Sequence, residues 1–513
     1  MRSRNIAGAG MAWSGRSARV ATLLIAAALT ACRDGGPTAP GPSAPLTVPA
    51  IAREFRGMWI ATVANIDWPS TAGLSVAQQQ AELAQLLSVA EQTGLNAVVL
   101  QVRAAGDALF PSTLEPWSRS LTGTQGGDPG YDPLAWAVAE AHQRGLELHA
   151  WFNPFRAGNL SDTLNLAATH LAKRRPDLAR AHCTQLWFDP GEAEVRDHAI
   201  EVILDVVRRY GVDAVQMDDY FYPYPDARCP GLDFPDSAGY ARYLAGGGSL
   251  SRADWRRANV NGFVERLYGG VRAASPTVRV GISPFGIWRP GNPSGITGLD
   301  AYAAIYADSR LWLQQGWADY FAPQLYWAIA STGQSFPALL TWWGQQNTQR
   351  RHLWPGLASY RVSDGTASAF APGEIPAQIG LVRQSGQAGG ATGTILYNAS
   401  SVRSDRGGFA AQLATGLWAT GALPPATTWL DAAAPSDPTI AVSHSAGGLA
   451  VTVTGDAGAY WWLVRWRSGG TWLQRLVPAA QRSVAITTLG VDGVAVTAIN
   501  RVGNASGNAV WRP

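Results

Sequence analysis

The stretch GVDAVQMDDYFYPYP at Gly211–Pro225 ends a short apolar run on two adjacent aspartates and four aromatic rings. A helix-like segment, Glu194–Tyr210, precedes it and stops at Gly211, a residue suited to ending a helix. A short run with little polar alternation is what a strand covered on both faces looks like. Asp218 and Asp219 therefore sit where a strand gives way to a loop. In a regular strand they would point to opposite faces. Both reach one cleft only if the chain leaves the strand between them.

Outward from this stretch, the pairing of short apolar run and helix recurs. The strand candidates are Phe55–Thr62, Ala97–Arg103, Leu146–Asn153, Ala214–Asp218, Arg279–Pro284, Tyr320–Tyr326, His352–Ala358 and Gly393–Asn398. Between them lie helical segments at Val76–Gln92 (with Ser75 as N-cap), Pro133–Arg144, Glu194–Tyr210, Arg252–Ala274, Asp300–Gln315, Phe336–Gln349, Pro376–Gly386 and Phe409–Leu417. Eight strands alternating with eight helices predict an α/β fold, a (β/α)8 TIM barrel with long loops. An open doubly wound sheet is the rival, but no glycine-rich phosphate turn follows the first strand.

Barrel sites form at the C-terminal strand ends. Here those ends carry Asn65, Asp67 and Trp68; Arg103, Asp107, Glu115 and Trp117; His149, Asn153 and Arg156; the aspartate pair with Tyr220 and Tyr222; Phe285 and Trp288; Gln324, Tyr326 and Trp327; and Tyr397. The chain holds 22 tryptophans, about three times an average share. Such rings fill cores, and they also stack on the apolar faces of sugars. His149, in mid-strand, reads equally as a barrel-core histidine. Asp218 could cap a loop or pair with an arginine such as Arg103, and Asp189 could cap the helix after it.

Hydrophobic residues make up 47% and charged residues 15% of the 513 residues, with a net charge of +3, so the chain is globular and gives no signal for nucleic acid. Arg2, Arg4, Arg16 and Arg19 precede an apolar run, Val20–Ala31, too short for a permanent span, and LTAC ends it at Cys32. That ending resembles a bacterial lipobox, which implies lipidation of Cys32; Arg33 in the next position favours the outer membrane, facing the periplasm. Residues 1–32 thus read as a lipoprotein signal, 33–50 as a Pro/Gly-rich linker, 51–423 as the barrel and 436–513 as a small fibronectin-III-like β-sandwich of alternating runs. Cys183 and Cys229 can bridge in an exported chain, or stay as free thiols. No cofactor is called for, and no cluster has metal-ligand spacing.

EFRGMWIATVANIDWPS (Glu54–Ser70), Gln101–Ser118, LELHAWFNPFR (Leu146–Arg156), WFDPGEAEVRD (Trp187–Asp197), DDYFYPYP (Asp218–Pro225) and PQLYW (Pro323–Trp327) together resemble the glycosyl hydrolase-like 10 family. The resemblance implies a TIM-barrel glycosidase. Its members include bacterial lipoproteins, among them a divisome-localised enzyme acting on peptide-free peptidoglycan strands. The implied partners are a polysaccharide, a membrane reached only through the lipid, and proteins of cell division or cell-wall assembly.

Glycoside hydrolysis ordinarily uses two carboxyl groups on opposite sides of the bond. Adjacent aspartates fit a variant in which the sugar's own 2-acetamido group attacks. One carboxylate orients that amide and its neighbour protonates the leaving oxygen. The residues alone leave open which aspartate takes which role; the order in retaining hexosaminidases, which the pair resembles, implies Asp218 as the first and Asp219 as the second, with Tyr326 steadying the acetamide. The substrate-binding expectation covers Asp67, Trp68, Arg103, Asp107, His149, Asn153, Arg156, Tyr220, Tyr222, Trp288, Gln324 and Trp327. A conventional mechanism would pair Asp218 with Asp67, Asp107, Glu115 or Asp189. The alternatives are a non-catalytic glycan-binding lipoprotein that recruits cell-wall machinery and a hydrolase of another polysaccharide.

Overall fold

The computed structural model describes residues 46–513 apart from 446 and 456; the signal segment with Cys32, and the linker as far as residue 45, lie outside the described residues. One parallel sheet dominates the fold. Its strands are β1 (Phe55–Ile60), β2 (Ala97–Arg103), β3 (Glu147–Phe152), β4 (Ala214–Met217), β5 (Arg279–Ile282), β6 (Tyr320–Phe321), β7 (His352–Leu353), β8 (Gly356–Leu357) and β9 (Gly393–Leu396). Their order in space is β7-β6-β5-β4-β3-β2-β1-β9-β8. The two outermost strands, β7 and β8, belong to one run of chain interrupted only at Trp354-Pro355. Pro355 has no N–H to give a ladder, yet its carbonyl accepts from Ile395 N (3.1 Å), and Leu353 O accepts from Thr392 N (3.0 Å). The sheet therefore curls until its edges meet, as a (β/α)8 barrel requires.

The helices fall between the strands as the pattern predicts, and Val76–Thr93 begins on a capping box from Ser75 and Gln78. The expected helix Asp300–Gln315 is instead two pieces, Ala301–Ala304 and Ser309–Gln315. Asp308 caps the second afresh, accepting from Leu311 N, just as Asp300 caps the first. Most strands are shorter at their C-terminal ends than expected, because the chain leaves the ladder there to build the rim.

Two layers of side chains fill the barrel. The lower is aromatic and charged: Phe55 stacks on Trp354 with ring centres 3.7 Å apart, Trp354 on Tyr320 at 4.6 Å, and Arg279 pairs with Glu147 at 2.7 Å. Gly281 makes room for this layer, since a Cβ there would lie 2.0 Å from the Tyr320 ring. The upper layer holds Trp59, Trp151 and Gln216.

Beyond the barrel come two antiparallel sheets, one of three strands and one of four, around their own apolar core. They meet the barrel at the N-terminal ends of its strands. Arg501 donates to Val212 O (2.5 Å) just before β4, and the ring of His142 packs edge-on against Trp461. Trp429, in the connecting segment, donates to Asp319 (2.9 Å) just before β6. The C-terminal barrel face is left to its own loops. A disulfide, Cys183–Cys229, joins the loop after β3 to the loop after β4. No helix among the described residues is long and apolar enough to cross a membrane.

Candidate active site

At the C-terminal face the upper layer opens into a cavity of about 330 Å³ lined by Trp59, Trp151, Gln216, Asp218, Asp219, Tyr220, Tyr224, Ser283, Phe285, Gln324, Tyr326 and Tyr397. Strand periodicity supplies its floor. Along β4, Ala214 and Gln216 point inward and Asp218 follows in phase. The ladder stops at Met217, and a tight turn closed by Phe221 N to Asp219 O (2.9 Å) swings Asp219 to the same side. Phe221 anchors that turn: it is buried edge-on against Trp312, and its carbonyl accepts from Trp187 Nε1 (3.1 Å). This is the break between strand and loop that the two aspartates require.

Both carboxyls are deeply placed, at 4% and 3% exposure. Asp218 Oδ2 accepts from Trp151 Nε1 (2.9 Å), and Asp219 Oδ2 accepts from the Tyr224 hydroxyl. Burial, then the neighbouring charge of Asp219, pushes Asp218 up to about 8. Burial also raises Asp219, to about 6, while the donors Tyr224 and Gln324 hold it lower than its partner. Near neutral pH the pair therefore carries one proton. Burial keeps the Tyr326 phenol neutral, close to Tyr397 and Asp219. Gln324 is fixed by its Nε2 donating to Ser283 O (3.0 Å), and Trp59 Nε1 donates to Gln216 Oε1 (2.8 Å).

The other expected site residues divide between cleft wall and structural support. Tyr220 lines the cavity with Tyr224, their rings 5.5 Å apart. Trp327 stands behind Phe285, edge-on at 5.6 Å. Asn153 accepts from Arg156 N (3.0 Å), and Arg156 and Asp107 line a neighbouring cavity. Of the twelve expected substrate-binding residues only Tyr220 and Gln324 line the cavity itself, and five of the other ten serve the packing of the fold. Trp68 is fully buried, its Nε1 donating to Gln79 O (2.8 Å). Asp67 ties β1 to the chain after β9, accepting from Ala61 N, Asn398 Nδ2 and Ser400 N, each at 2.8 Å. His149 lies in the lower barrel layer between Tyr320 (3.0 Å) and Glu147 (3.2 Å), and burial lowers its pKa. Tyr222 is buried against Phe234 and Tyr306, and Trp288 is bonded to Asp308 (3.0 Å) and stacked on Trp342. Their polar tips and large rings pack the long rim loops, which need cores of their own.

The distant acids are also accounted for. Arg103 grips Glu115, not Asp218, at 2.5 Å, with His198 on the same carboxylate at 3.0 Å. Burial opposes the charge of Glu115, but Arg103 and His198 more than offset it and hold the group at about 2. Asp189 is buried and paired with Arg180 (3.0 Å), outside the cavity wall. Among the described residues, Asp218 and Asp219 are the only carboxyl groups lining the cavity. The cavity residues absent from the expected site include Trp59, Gln216, Ser283, Trp151 and Tyr224. The first two sit inside the barrel in mid-strand, where inward parity with Phe55 and Asp218 was the available signal.

Carboxyls poised between two proton states beneath aromatic walls suit the cutting of a glycosidic bond, and the chain is a glycoside hydrolase. It belongs to the glycosyl hydrolase-like 10 family, which matches residues 54–370. It is similar to the glycosyl hydrolase YngK of Bacillus subtilis (strain 168), 42% identical over 395 residues, which are 75% of this chain and 76% of that one. It is also similar to the glycosyl hydrolase DigH of Escherichia coli (strain K12), 36% identical over 345 residues, 63% of this chain and 77% of that one. Among solved structures, the PgaB (BpsB) glycoside hydrolase domain from Bordetella bronchiseptica aligns at 13% identity and a TM-score of 0.47, over 71% of this chain and 98% of that one.

Proposed function

We propose that the chain hydrolyses a polymer of 2-acetamido sugars with the help of the substrate's own acetamide, and that the polymer is peptide-free peptidoglycan. The observation that carries this is the absence, among the described residues lining the cavity, of a carboxyl opposed to the aspartate pair. A conventional retaining pair needs two groups about 5.5 Å apart across the bond, and an inverting pair needs them farther apart. With no opposed carboxyl in the cavity lining, the sugar's own acetamide is the nucleophile this reading assigns.

The steps follow from the proton state. An acetamide N–H donating to Asp218 favours its charged form, which moves the shared proton to Asp219. The acetamide oxygen then attacks the anomeric carbon as Asp219 protonates the departing glycosidic oxygen. Asp218 balances the positive charge of the resulting oxazolinium ring, and the Tyr326 hydroxyl steadies the acetamide oxygen. Asp219, now a carboxylate, takes a proton from water, which opens the ring with net retention at the anomeric carbon.

The family resemblance supports the choice of polymer. Lipidation of Cys32 would tether the enzyme to the envelope, through residues 33–50, where such a polymer lies. We read the three- and four-stranded sheets over 436–513 as a fibronectin-III-like sandwich and 51–423 as the catalytic unit. The test is to incubate the pure protein with amidase-stripped murein and read new reducing ends by mass spectrometry. Reducing-end N-acetylhexosamine is expected; intact strands would refute the proposal.

A further inference from the structure

Next to the catalytic cavity lies a second one, of about 160 Å³, whose lining includes Asn65, Asp107, Arg119, Arg156, Asn159 and Asp162. Arg156 belongs to both neighbourhoods, since its charge acts on Asp218 and Tyr220. The other charges of the second cavity have partners. Arg119 pairs with Asp162 (2.8 Å), and Asp107 accepts from Ala105 N (3.1 Å). Arg156 differs. Its one side-chain acceptor is the neutral Asn159 Oδ1 at 3.3 Å, and its buried Nε, like that of Arg279, has no partner. The inner arginines Arg103, Arg256 and Arg279 each hold a carboxylate at 2.5 to 2.7 Å. No carboxylate pairs with Arg156 among the described residues.

A guanidinium fork set in a small cavity with a buried donor unused is arranged for a planar anion, and a carboxylate fits it on two donors at once. We infer that Arg156 selects glycans that carry a carboxylate on the sugar beside the one being cleaved. This rests on the functional reading above. In that polymer the carboxylate is the lactyl ether acid uncovered when the peptide is removed; with the peptide attached, the same position is a neutral, bulky amide. Arg156 thereby makes peptide removal the condition for cleavage. A hexuronic acid offers the same chemistry from another source.

The experiment uses the full chain and measures kcat and KM on three polymers: amidase-stripped murein strands, the same strands with the lactyl acid converted to its methylamide, and hyaluronan as a hexuronate. The chain is expected to prefer the free acid over the methylamide by roughly 10- to 100-fold, mainly through KM. Arg156→Gln should bring that ratio close to one, and Arg156→Lys should leave it intermediate. Equal use of acid and methylamide by the unaltered chain, or a preference that survives Arg156→Gln, overturns the inference while leaving the functional reading in place. Faster cleavage of hyaluronan overturns the lactyl assignment, and cleavage of neither murein form overturns both. The ratio for the unaltered chain decides the matter even if Arg156→Gln does not fold.

Discussion

Trp151, at the end of β3, donates its indole N–H to Oδ2 of Asp218, at the end of β4, across 2.9 Å. The bond joins the floor of the barrel to one carboxyl of the aspartate pair. It also stabilises the charged form of Asp218, opposing the burial that favours the neutral one.

Replacing Trp151 by Phe keeps a ring in place and removes the donor. With the charged form less favoured, the pKa of Asp218 should rise further. The kcat/KM profile of the unaltered enzyme should be bell-shaped, with limbs near the values of about 6 and about 8 that the pair shows. In Trp151→Phe the alkaline limb should move upward and the maximal rate should fall roughly 10-fold. An unmoved limb would mean that another group sets it.

The two aspartates should separate by leaving group. An aryl leaving group that departs without a proton removes the need for an acid but not for a polarised acetamide. Asp219→Asn should lose on the order of 10³-fold on murein strands yet stay within about 50-fold on a dinitrophenyl N-acetylhexosaminide. Asp218→Asn should be crippled on both. The reverse pattern would exchange the roles.

Asp218→Asn should also raise stability, in a pH-dependent way. The folded-state pKa of Asp218 lies above its unfolded value, so its favourable contribution is complete below about pH 4 and is lost as pH rises through about 8. Removing the charge should help little at pH 4 and by roughly 1–3 kcal/mol at pH 9. Melting curves at the two pH values give the comparison. A variant less stable than the parent at pH 9 would show that the aspartate carries no strain of this kind.

Glu115 should behave in the opposite sense. Its pKa is depressed to about 2, so the stability it supplies is present above the unfolded value near 4.5 and disappears as pH falls through about 2. Glu115→Gln leaves Arg103 buried without a counter-charge and should cost about 3–5 kcal/mol at pH 7. The deficit should shrink toward pH 2. A loss below about 1 kcal/mol would mean the pair is replaceable.

The barrel was legible because buried parallel strands, helix caps and stop signals repeat in register, and the aspartate pair was legible because two like charges at a strand end need a reason. Much of the remaining rim misled. Trp68, Tyr222 and Trp288 lie after strand ends as sugar-stacking rings would, but the long loops use them as packing, and sequence position does not distinguish a ring turned toward a loop core from one turned toward a cleft. His149 followed strand parity into the barrel, yet in the lower layer, because depth along a strand depends on the stagger between neighbours and not on spacing within one strand. Trp59 and Gln216 went unnoticed for the complementary reason: they lie before the strand ends, yet high enough in the barrel to form the cavity floor.

The most direct test is inhibition by a thiazoline that mimics the cyclised acetamide intermediate, measured on amidase-stripped strands and accompanied by mass spectrometry of the protein after exposure to an activated 2-fluoro sugar. Competitive inhibition without a covalent adduct is the predicted result. Indifference to the thiazoline together with a sugar ester on an aspartate or glutamate would contradict it.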